Sequence, residues 1–446
     1  MKSRLLRLFH YYLYILDTVI HGRYYLINYL NEIEKSQWLA TEHIEAIQWR
    51  RFKRMLEHAY RNVPYYQQLF SEKGITPDDI NSKRDISRIP ILTKETVQQN
   101  LSMMTARNIR KDTLTVVWTS GSTGRPAQFV VDQLTQDMQK AASFCFRKFG
   151  GWNIGEKHAM LWGNARDLKS LNGIKESLYS SLIYRKLELP TQVLSEDLIR
   201  QYVDKLQKWK PKIVWGFAQS LHTIARYMVQ HNITSIKPVT VVCMAEMLYE
   251  NQRSMIETAF QCKALIQYGT NEVGPIACEC LEQGGMHINM EGVMVEIMNN
   301  KKEGEILVTD LRNYAAPLIR YNLEDVGTLL KRNCSCGRGL QMMKLTSGRT
   351  LDSIKTIDGR TLNSVFFNRL FFKVIGVRRF QFIQKKANEY ILKVEPEKNL
   401  DRRNVENIIE KLKETIGRDA NIHLEYVDQI PGTRAGKFRY VIREIP

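Results

Sequence analysis

Apolar residues recur at helical spacing through the first quarter of the chain and in short β-rich runs after it. Residues 1–110 read as mostly helical. Residues 48–69 alternate basic, acidic and apolar positions with a helical period, and Pro64 breaks that pattern ahead of Tyr65 and Tyr66. Pro90, followed by Ile91-Leu92-Thr93-Lys94-Glu95, predicts a helix capped by Thr93. From residue 113, β-rich runs at 113–118, 213–215, 239–243 and 264–267 alternate with helix and loop patterns, two of them within 205–211 and 221–229. This alternation predicts a layered α/β core with largely parallel strands. Residues 305–309 and 326–330 predict a smaller β region. After Arg349 the texture changes to strand candidates at 377–384, 390–394 and 422–427 around an amphipathic helix at 404–416. A tail of about 95 residues with that pattern can fold by itself as a small α+β domain. The expected fold class is therefore α/β: a large multilayered domain, with a helical region at 1–110 and its core at 111–348, followed by a small α+β domain at 349–446.

Composition agrees with two domains: 446 residues, 43% hydrophobic and 25% charged. The formal net charge of +18 adds a question that the hydrophobic pattern leaves open. A basic excess serves nucleic acid, anionic lipid, an acidic glycan or an anionic substrate, or is a solvated surface. The sequence carries neither an RNP aromatic signature nor a zinc-finger spacing, so nucleic acid is not expected as a partner. Residues 5–30 are rich in Leu, Ile, Tyr and Phe, but Arg7, Asp17 and Arg23 keep any apolar run below the ~18–20 residues of a membrane span, and no signal peptide is apparent. Tyr11, Tyr12, Tyr14, Tyr24, Tyr25 and Tyr29, with Lys2, Arg4, Arg7 and Arg23, leave two readings: helices packed on the large domain, which is preferred, or helices lying at a membrane surface. Seven cysteines, an odd number, argue against a secreted disulfide framework and for a cytoplasmic setting, with peripheral contact at the membrane face as the extension.

The richest chemical signal is Thr119-Ser120-Gly121-Ser122-Thr123-Gly124-Arg125-Pro126, directly after a β-rich run. Small hydroxyl residues and glycines there can wrap phosphate oxygens with backbone N–H groups, although such a stretch alone is also an ordinary turn. The spacing is neither that of a P-loop nor that of a dinucleotide fingerprint. Four further segments follow in order: Tyr268-Gly269-Thr270-Asn271-Glu272, Arg320-Tyr321-Asn322-Leu323-Glu324-Asp325, Ser347-Gly348-Arg349 and Pro431-Gly432-Thr433-Arg434-Ala435-Gly436-Lys437. Together the five resemble the adenylate-forming superfamily of acyl-CoA synthetases, adenylation domains and luciferases. Residues 59–66 (AYRNVPYY), 215–221 (WGFAQSL), 317–327 and Cys334-Ser335-Cys336-Gly337-Arg338 narrow the resemblance to the phenylacetate-CoA ligase branch and its CapK-like proteins of capsular polysaccharide synthesis. The resemblance runs from about Arg50 to the C-terminus.

The resemblance implies ATP and Mg²⁺ as cofactors, a carboxylic acid as substrate, and a thiol (coenzyme A) or an amine as acyl acceptor. By it, residues 119–124 cradle phosphates and Arg125 supplies charge where many relatives carry a later lysine. Glu272 holds Mg²⁺, Thr270 or Asn271 binds the α-phosphate, and Tyr268 with Gly269 lies at adenine. Ala245 and Glu246 line the nucleotide and acyl pocket, Asp325 accepts the ribose hydroxyls, and Arg349 lies at ribose and hinge. Lys437, delivered by the small domain, bridges carboxylate and α-phosphate. Leu351 stands where relatives carry the first acidic residue of the hinge, and Asp352 is the substitute.

Cys280, His287, Cys334 and Cys336, with Cys278 as an alternative to Cys280, have the donor types of a closed tetrahedral zinc site. Their tight Cys-x-Cys spacing equally suits ordinary buried residues. Some phenylacetate-CoA ligase-like relatives carry a structural zinc in this region. The leading expectation is an ATP-dependent ligase acting in surface-polysaccharide synthesis; a non-catalytic nucleotide-binding scaffold is the alternative, against which the presence of Lys437, Glu272 and Asp325 speaks.

Overall fold

The computed structural model describes residues 2–119, 127–162, 174–191, 194–349, 353–356, 361–371, 374–397, 399–431 and 438–445. Helices α1 (Lys2–Ile20), α2 (Tyr24–Ser36), α3 (Thr41–Asn62), α4 (Pro64–Lys73) and α5 (Lys94–Gln99) fill the N-terminal region. Pro64 occupies the first turn of α4, where its missing N–H costs nothing, and the Thr93 hydroxyl accepts the Thr96 N–H at 3.2 Å to cap α5. Strands β1 (Thr115–Thr119) and β2 (Ala127–Val131) form an antiparallel pair of their own. The chain continues through α6 (Gln133–Phe149), β3 (His158–Trp162), α7 (Ile174–Leu182), β4 (Lys186–Pro190), α8 (Glu196–Trp209), β5 (Ile213–Phe217), α9 (Ala218–Gln230), β6 (Thr240–Met244), α10 (Glu250–Phe260) and β7 (Lys263–Thr270).

Then come β8 (Gly274–Glu279), β9 (Met286–Ile288), β10 (Val293–Ile297), β11 (Gly304–Asp310), β12 (Tyr321–Leu330) and β13 (Met342–Arg349). Among the described residues one sheet holds eleven strands in the order β10-β11-β12-β13-β9-β8-β7-β6-β5-β3-β4. Only the β4-β3-β5-β6-β7 half is parallel. The largely parallel core expected from the sequence is thus a mixed sheet. The strands after residue 270 follow one another over connections too short for helical crossovers, so they pair antiparallel.

Successive residues on β5 serve two cores. Ile213 and Trp215 join the core that includes α6 and the N-terminal helices. Val214 joins a second core with α8, α9 and α10. Alternation is how a strand buried on both faces serves two layers. Residues beyond Ile354 gather a core of their own around Phe367, Phe382, Leu392, Val405 and Leu412. It is built from β14 (Ser353–Lys355), β15 (Thr361–Asn363), α11 (Ser364–Phe371), β16 (Val377–Lys386), β17 (Glu389–Pro396), α12 (Arg402–Ile416), β18 (Asn421–Tyr426) and β19 (Val441–Arg443).

Helix α1 packs inward through His10, Tyr14 and Thr18, all buried. His10 is bonded by the Arg185 guanidinium at 2.7 Å and lies 3.0 Å from the Leu182 carbonyl. Its outer face is apolar: Leu5, Phe9, Tyr12, Leu16 and Ile20 recur at helical spacing and are 55–70% exposed. Among the described residues no helix is long and apolar enough to cross a membrane.

Candidate active site

The loop that carries Glu272 is a three-residue hairpin turn between β7 and β8, with Thr270 opposite Gly274. Gly274 has φ +78°, a left-handed conformation that only glycine adopts freely, and a Cβ there would meet the Gln139 side chain at 2.6 Å. The Thr270 hydroxyl accepts the Val273 N–H at 3.2 Å and tightens the turn. Beneath it lies Arg312, wholly buried, whose guanidinium bonds the Val273 carbonyl at 2.5 Å and the Asp310 carboxylate at 2.8 Å. Burial pushes the Asp310 carboxyl up in pKa, and Arg312 opposes that shift. Sequence reasoning missed this pair. Its signal was a charged Asp-Leu-Arg-Asn stretch inside an otherwise apolar region.

Three of the expected motifs meet at this turn. The Tyr268 hydroxyl donates to Asp325 at 2.7 Å, which joins the end of β7 to β12. The Asn271 amide donates to the Trp118 carbonyl at 3.2 Å, which brings β1, the strand entering the Ser/Thr/Gly loop, against the hairpin. Glu272 is buried, 7% exposed, and makes no hydrogen bond or ion pair with a described residue. A buried carboxylate in that condition suits a hard cation. Asp325 lies opposite Arg349 in the β12–β13 ladder. Arg320, with φ +52°, is engaged structurally: it bonds Glu296 at 3.2 Å and the Ile89 carbonyl, so it ties the N-terminal region to the β region. Ser120, Gly121, Ser122, Thr123, Gly124, Arg125, Leu351, Asp352 and Lys437 lie outside the described residues, and only the backbone of Thr119 and Arg349 is described.

Glu246 occupies a place the sequence did not anticipate. It follows Ala245, whose φ of +67° is unusual for a residue with a side chain. One Glu246 oxygen accepts the Gln219 N–H at the start of α9, at 2.9 Å. The other accepts the N–H of Phe438, the residue after Lys437, also at 2.9 Å. Around it the Tyr440 hydroxyl donates to Gln219 at 2.7 Å, Gln252 donates to Tyr440 at 3.2 Å, and Tyr249 donates to Ser364 at 2.8 Å. Arg226 pairs with Glu397 across the same boundary.

Residues 354–444 match the CapK C-terminal domain. Over 94% of its length the chain is 25% identical to protein CapK of Staphylococcus aureus, covering 93% of that protein. The chain is CapK-like, and the relatives it resembles are adenylate-forming ligases. This CapK-like ligase is also 27% identical to phenylacetate-coenzyme A ligase of Aromatoleum evansii, over 71% of its own length and 72% of the relative. Its fold matches 2-hydroxyisobutyryl-CoA ligase in the postadenylation state with a TM-score of 0.72, at 17% identity, over 92% of this chain and 91% of the other.

A second constellation in the CapK-like ligase stands apart from the nucleotide motifs. Cys280 follows β8, His287 lies on β9, and Cys334 and Cys336 lie between β12 and β13. Their four ligand atoms all lie within 4.8 Å of one another. The Cys280 and Cys334 sulfurs are 3.6 Å apart, and the Cys336 sulfur is 3.4 Å from His287 Nε2. A tetrahedral zinc with ligands at about 2.0–2.3 Å has donor separations of about this size, so the set fits the metal. Cys278 points elsewhere: it is fully buried and its thiol donates to the Glu279 carbonyl. Gly337, at φ +83°, turns the chain so that its N–H reaches the Cys334 carbonyl at 3.2 Å. Burial, with Arg338 assisting, lowers His287 to about 4, which keeps the imidazole neutral and able to ligate. Burial also raises Cys280 to about 12, a thiol that a bound cation would have to deprotonate.

Proposed function

We propose that this CapK-like ligase joins a carboxylic acid to ATP and then passes the acyl group to coenzyme A or an amine in the synthesis of a surface polysaccharide. A carboxylate oxygen attacks the α-phosphorus, the bond to the β-phosphate bridging oxygen breaks, and pyrophosphate leaves. The acceptor then attacks the acyl carbon and expels AMP. The meeting of Tyr268, Asp325, Asn271, Glu272 and β1 at one hairpin carries this reading. Asp325 offers two acceptor oxygens to a ribose diol, and the β7–β8 turn, backed by Arg312, holds Glu272 and Thr270 toward the phosphates. Glu272 would hold Mg²⁺, which neutralises phosphate charge when bound. Glu246 anchors Phe438, the residue that follows Lys437 in the sequence. Lysine suits a charge delivered at the end of a moving segment. Cys280, His287, Cys334 and Cys336 would hold a structural zinc.

The testing experiment is ATP–pyrophosphate exchange with phenylacetate, aryl and fatty acids, amino acids and uronic acids, beside Lys437→Ala. Exchange with one acid, lost at least a hundredfold in the variant, is the expected result. Wild-type exchange that survives Lys437→Ala undiminished refutes the assignment of that lysine, and absence of exchange with every acid refutes the reaction.

The same reading includes contact with an anionic membrane surface. The outward stripe of α1 is continued by the exposed Leu178 and Leu182 of α7, which the His10–Leu182 contact places beside it. Within residues 1–31, Arg23 pairs with Asp137, and Lys2, Arg4 and Arg7 oppose one acid, Asp17, which also accepts bonds from Tyr179 and Tyr184. An apolar stripe flanked by uncancelled basic charge suits the interface of an anionic leaflet.

A further inference from the structure

Two cations of α6 lie inside the large domain with no ion pair among the described residues, on the sheet face that also carries Tyr268. Arg147 is buried, 8% exposed, with its guanidinium 4.0 Å from the centroid of the Trp215 ring. Lys140 lies two turns earlier on the same helix, with its ammonium 5.1 Å from the Tyr184 ring and 5.5 Å from the Tyr14 ring. Among the described residues neither side chain makes a hydrogen bond or an ion pair. Asp137 pairs with Arg23 and Glu188 with Lys186, while Asp17, which acts on Lys140 through its charge alone, accepts bonds from Tyr179 and Tyr184.

The lining adds polar atoms with no hydrogen-bond partner among the described residues. The Tyr14 hydroxyl, the Trp215 indole nitrogen and His158 Nδ1 are buried and unpartnered. Burial depresses Arg147 to about 10 and Lys140 to about 7; Arg23, Lys186 and Arg147 add to the strain on Lys140. A fold that retains two interior cations without an ion pair among the described residues, with orphaned polar atoms beside them, is arranged for an anion that arrives from outside.

We propose that Lys140 and Arg147 form a subsite for a second carboxylate on the acid substrate, remote from the carboxyl that is activated. The site would take a dicarboxylic acid with a ring or other apolar body between its two charges. This assignment rests on the adenylation reading above. Sheet register gives the span. Trp215 lies opposite Val242, which lies opposite Leu265, and Tyr268 stands three residues further along β7. Two strand spacings across and three residues along put the Tyr268 end of the site roughly 14 Å from Trp215. Trp215, Phe144 and Tyr14 give the apolar body of the ligand flat surfaces to lie against, and keep water from the charge pair. Bidentate recognition of a carboxylate is what a guanidinium edge does well, and Arg147, held over the Trp215 ring, commits none of its N–H groups to a hydrogen bond with a described residue.

The experiment compares matched acids in pyrophosphate exchange, phenylacetate against 1,4-phenylenediacetate and hexanoate against adipate, for the wild type, Arg147→Met and Lys140→Met. The expected result is at least a tenfold preference in kcat/KM for one diacid over its monoacid, falling to within twofold in either variant. A second arm needs no catalysis: the melting temperature is read with and without 1,4-phenylenediacetate in the absence of ATP. A rise in the wild type that is lost in Arg147→Met supports the subsite. Equal use of diacid and monoacid overturns the proposal, and so does Arg147→Met melting far below the wild type without ligand, because a structural charge would then be indicated. If no acid supports exchange, the adenylation reading fails, and the melting arm still decides the subsite: a diacid-induced rise lost in the variant supports it, and no rise overturns it.

Discussion

Cys280 and Cys334 are separated by 54 residues in sequence and 3.6 Å in space. A metal held by both, with His287 and Cys336, would close a loop of that length in the folded state. Treated as a cross-link, a closed loop of this size reduces the entropy of the unfolded chain by an amount worth about 4 kcal/mol at 25 °C. For a domain of this size that corresponds to a shift in melting temperature of about 5 °C. The perturbation is Cys334→Ser, which removes one thiolate from the partly exposed side of the cluster and leaves the buried Cys280 and His287 in place. The assay pairs metal content by mass spectrometry with a thermal melt. Wild-type protein is expected to carry one zinc per chain, and the variant well under half. Addition of a strong chelator is expected to lower the wild-type melt by about 5 °C and to leave the variant nearly unmoved. Wild-type protein purified with no zinc, and with a melt indifferent to both chelator and added zinc, would sink the metal assignment and return the four residues to ordinary core packing.

His222 is held neutral, lowered to about 4 by burial first and then by Arg226 and Arg379. The unfolded chain takes up this proton below about 6.5 while the folded chain resists it, so stability is retained above that pH and lost as pH falls from about 6.5 towards 4. Melting curves between pH 7 and 4.5 are expected to be steeper for the wild type than for His222→Gln, and identical slopes would contradict the assignment. For the membrane reading, Phe9→Asp with Leu16→Asp removes two side chains whose burial is worth about 1.5–3 kcal/mol each. Sedimentation with vesicles of phosphatidylcholine and phosphatidylglycerol is expected to fall at least a hundredfold in affinity while the melting temperature holds. Binding unchanged by the double substitution would refute that docking face.

Local structure was legible where one residue decides it. Pro64 and Thr93 mark helix starts because a missing N–H and a free hydroxyl act within one turn. The strands at 213–217, 240–244 and 263–270 were legible as continuous β-rich runs, since each is covered on both faces. Sheet direction past residue 270 was not, because β7 and β8 look alike as apolar runs whether a hairpin or a crossover joins them. Of the site, the sequence marked Tyr268, Glu272 and Asp325 through the order of their motifs. It could not mark Arg312 or the second role of Glu246, whose partners lie 39 and 192 residues away. The preference for N-terminal helices packed on the large domain describes only the inner half of α1. Composition averages over a helix and cannot say which apolar residues face outward. Nothing in the sequence sets Lys140 and Arg147 apart from other helix cations; they stand without an ion pair among the described residues because Asp137 and Glu188 are claimed by others.

The seam around Glu246 has a consequence for motion. It is stitched by amide, hydroxyl and carboxylate groups around one edge-on ring pair, Tyr249 and Tyr440. Separating the two sides hands each of these groups to water, which bonds them nearly as well, so little net free energy stands between closed and open. An oily seal of equal extent would resist parting in proportion to its area. The stretch that opens at Phe438 is therefore given an address without being fastened there, a reversible berth to which the same few donors and acceptors can guide it back after every departure.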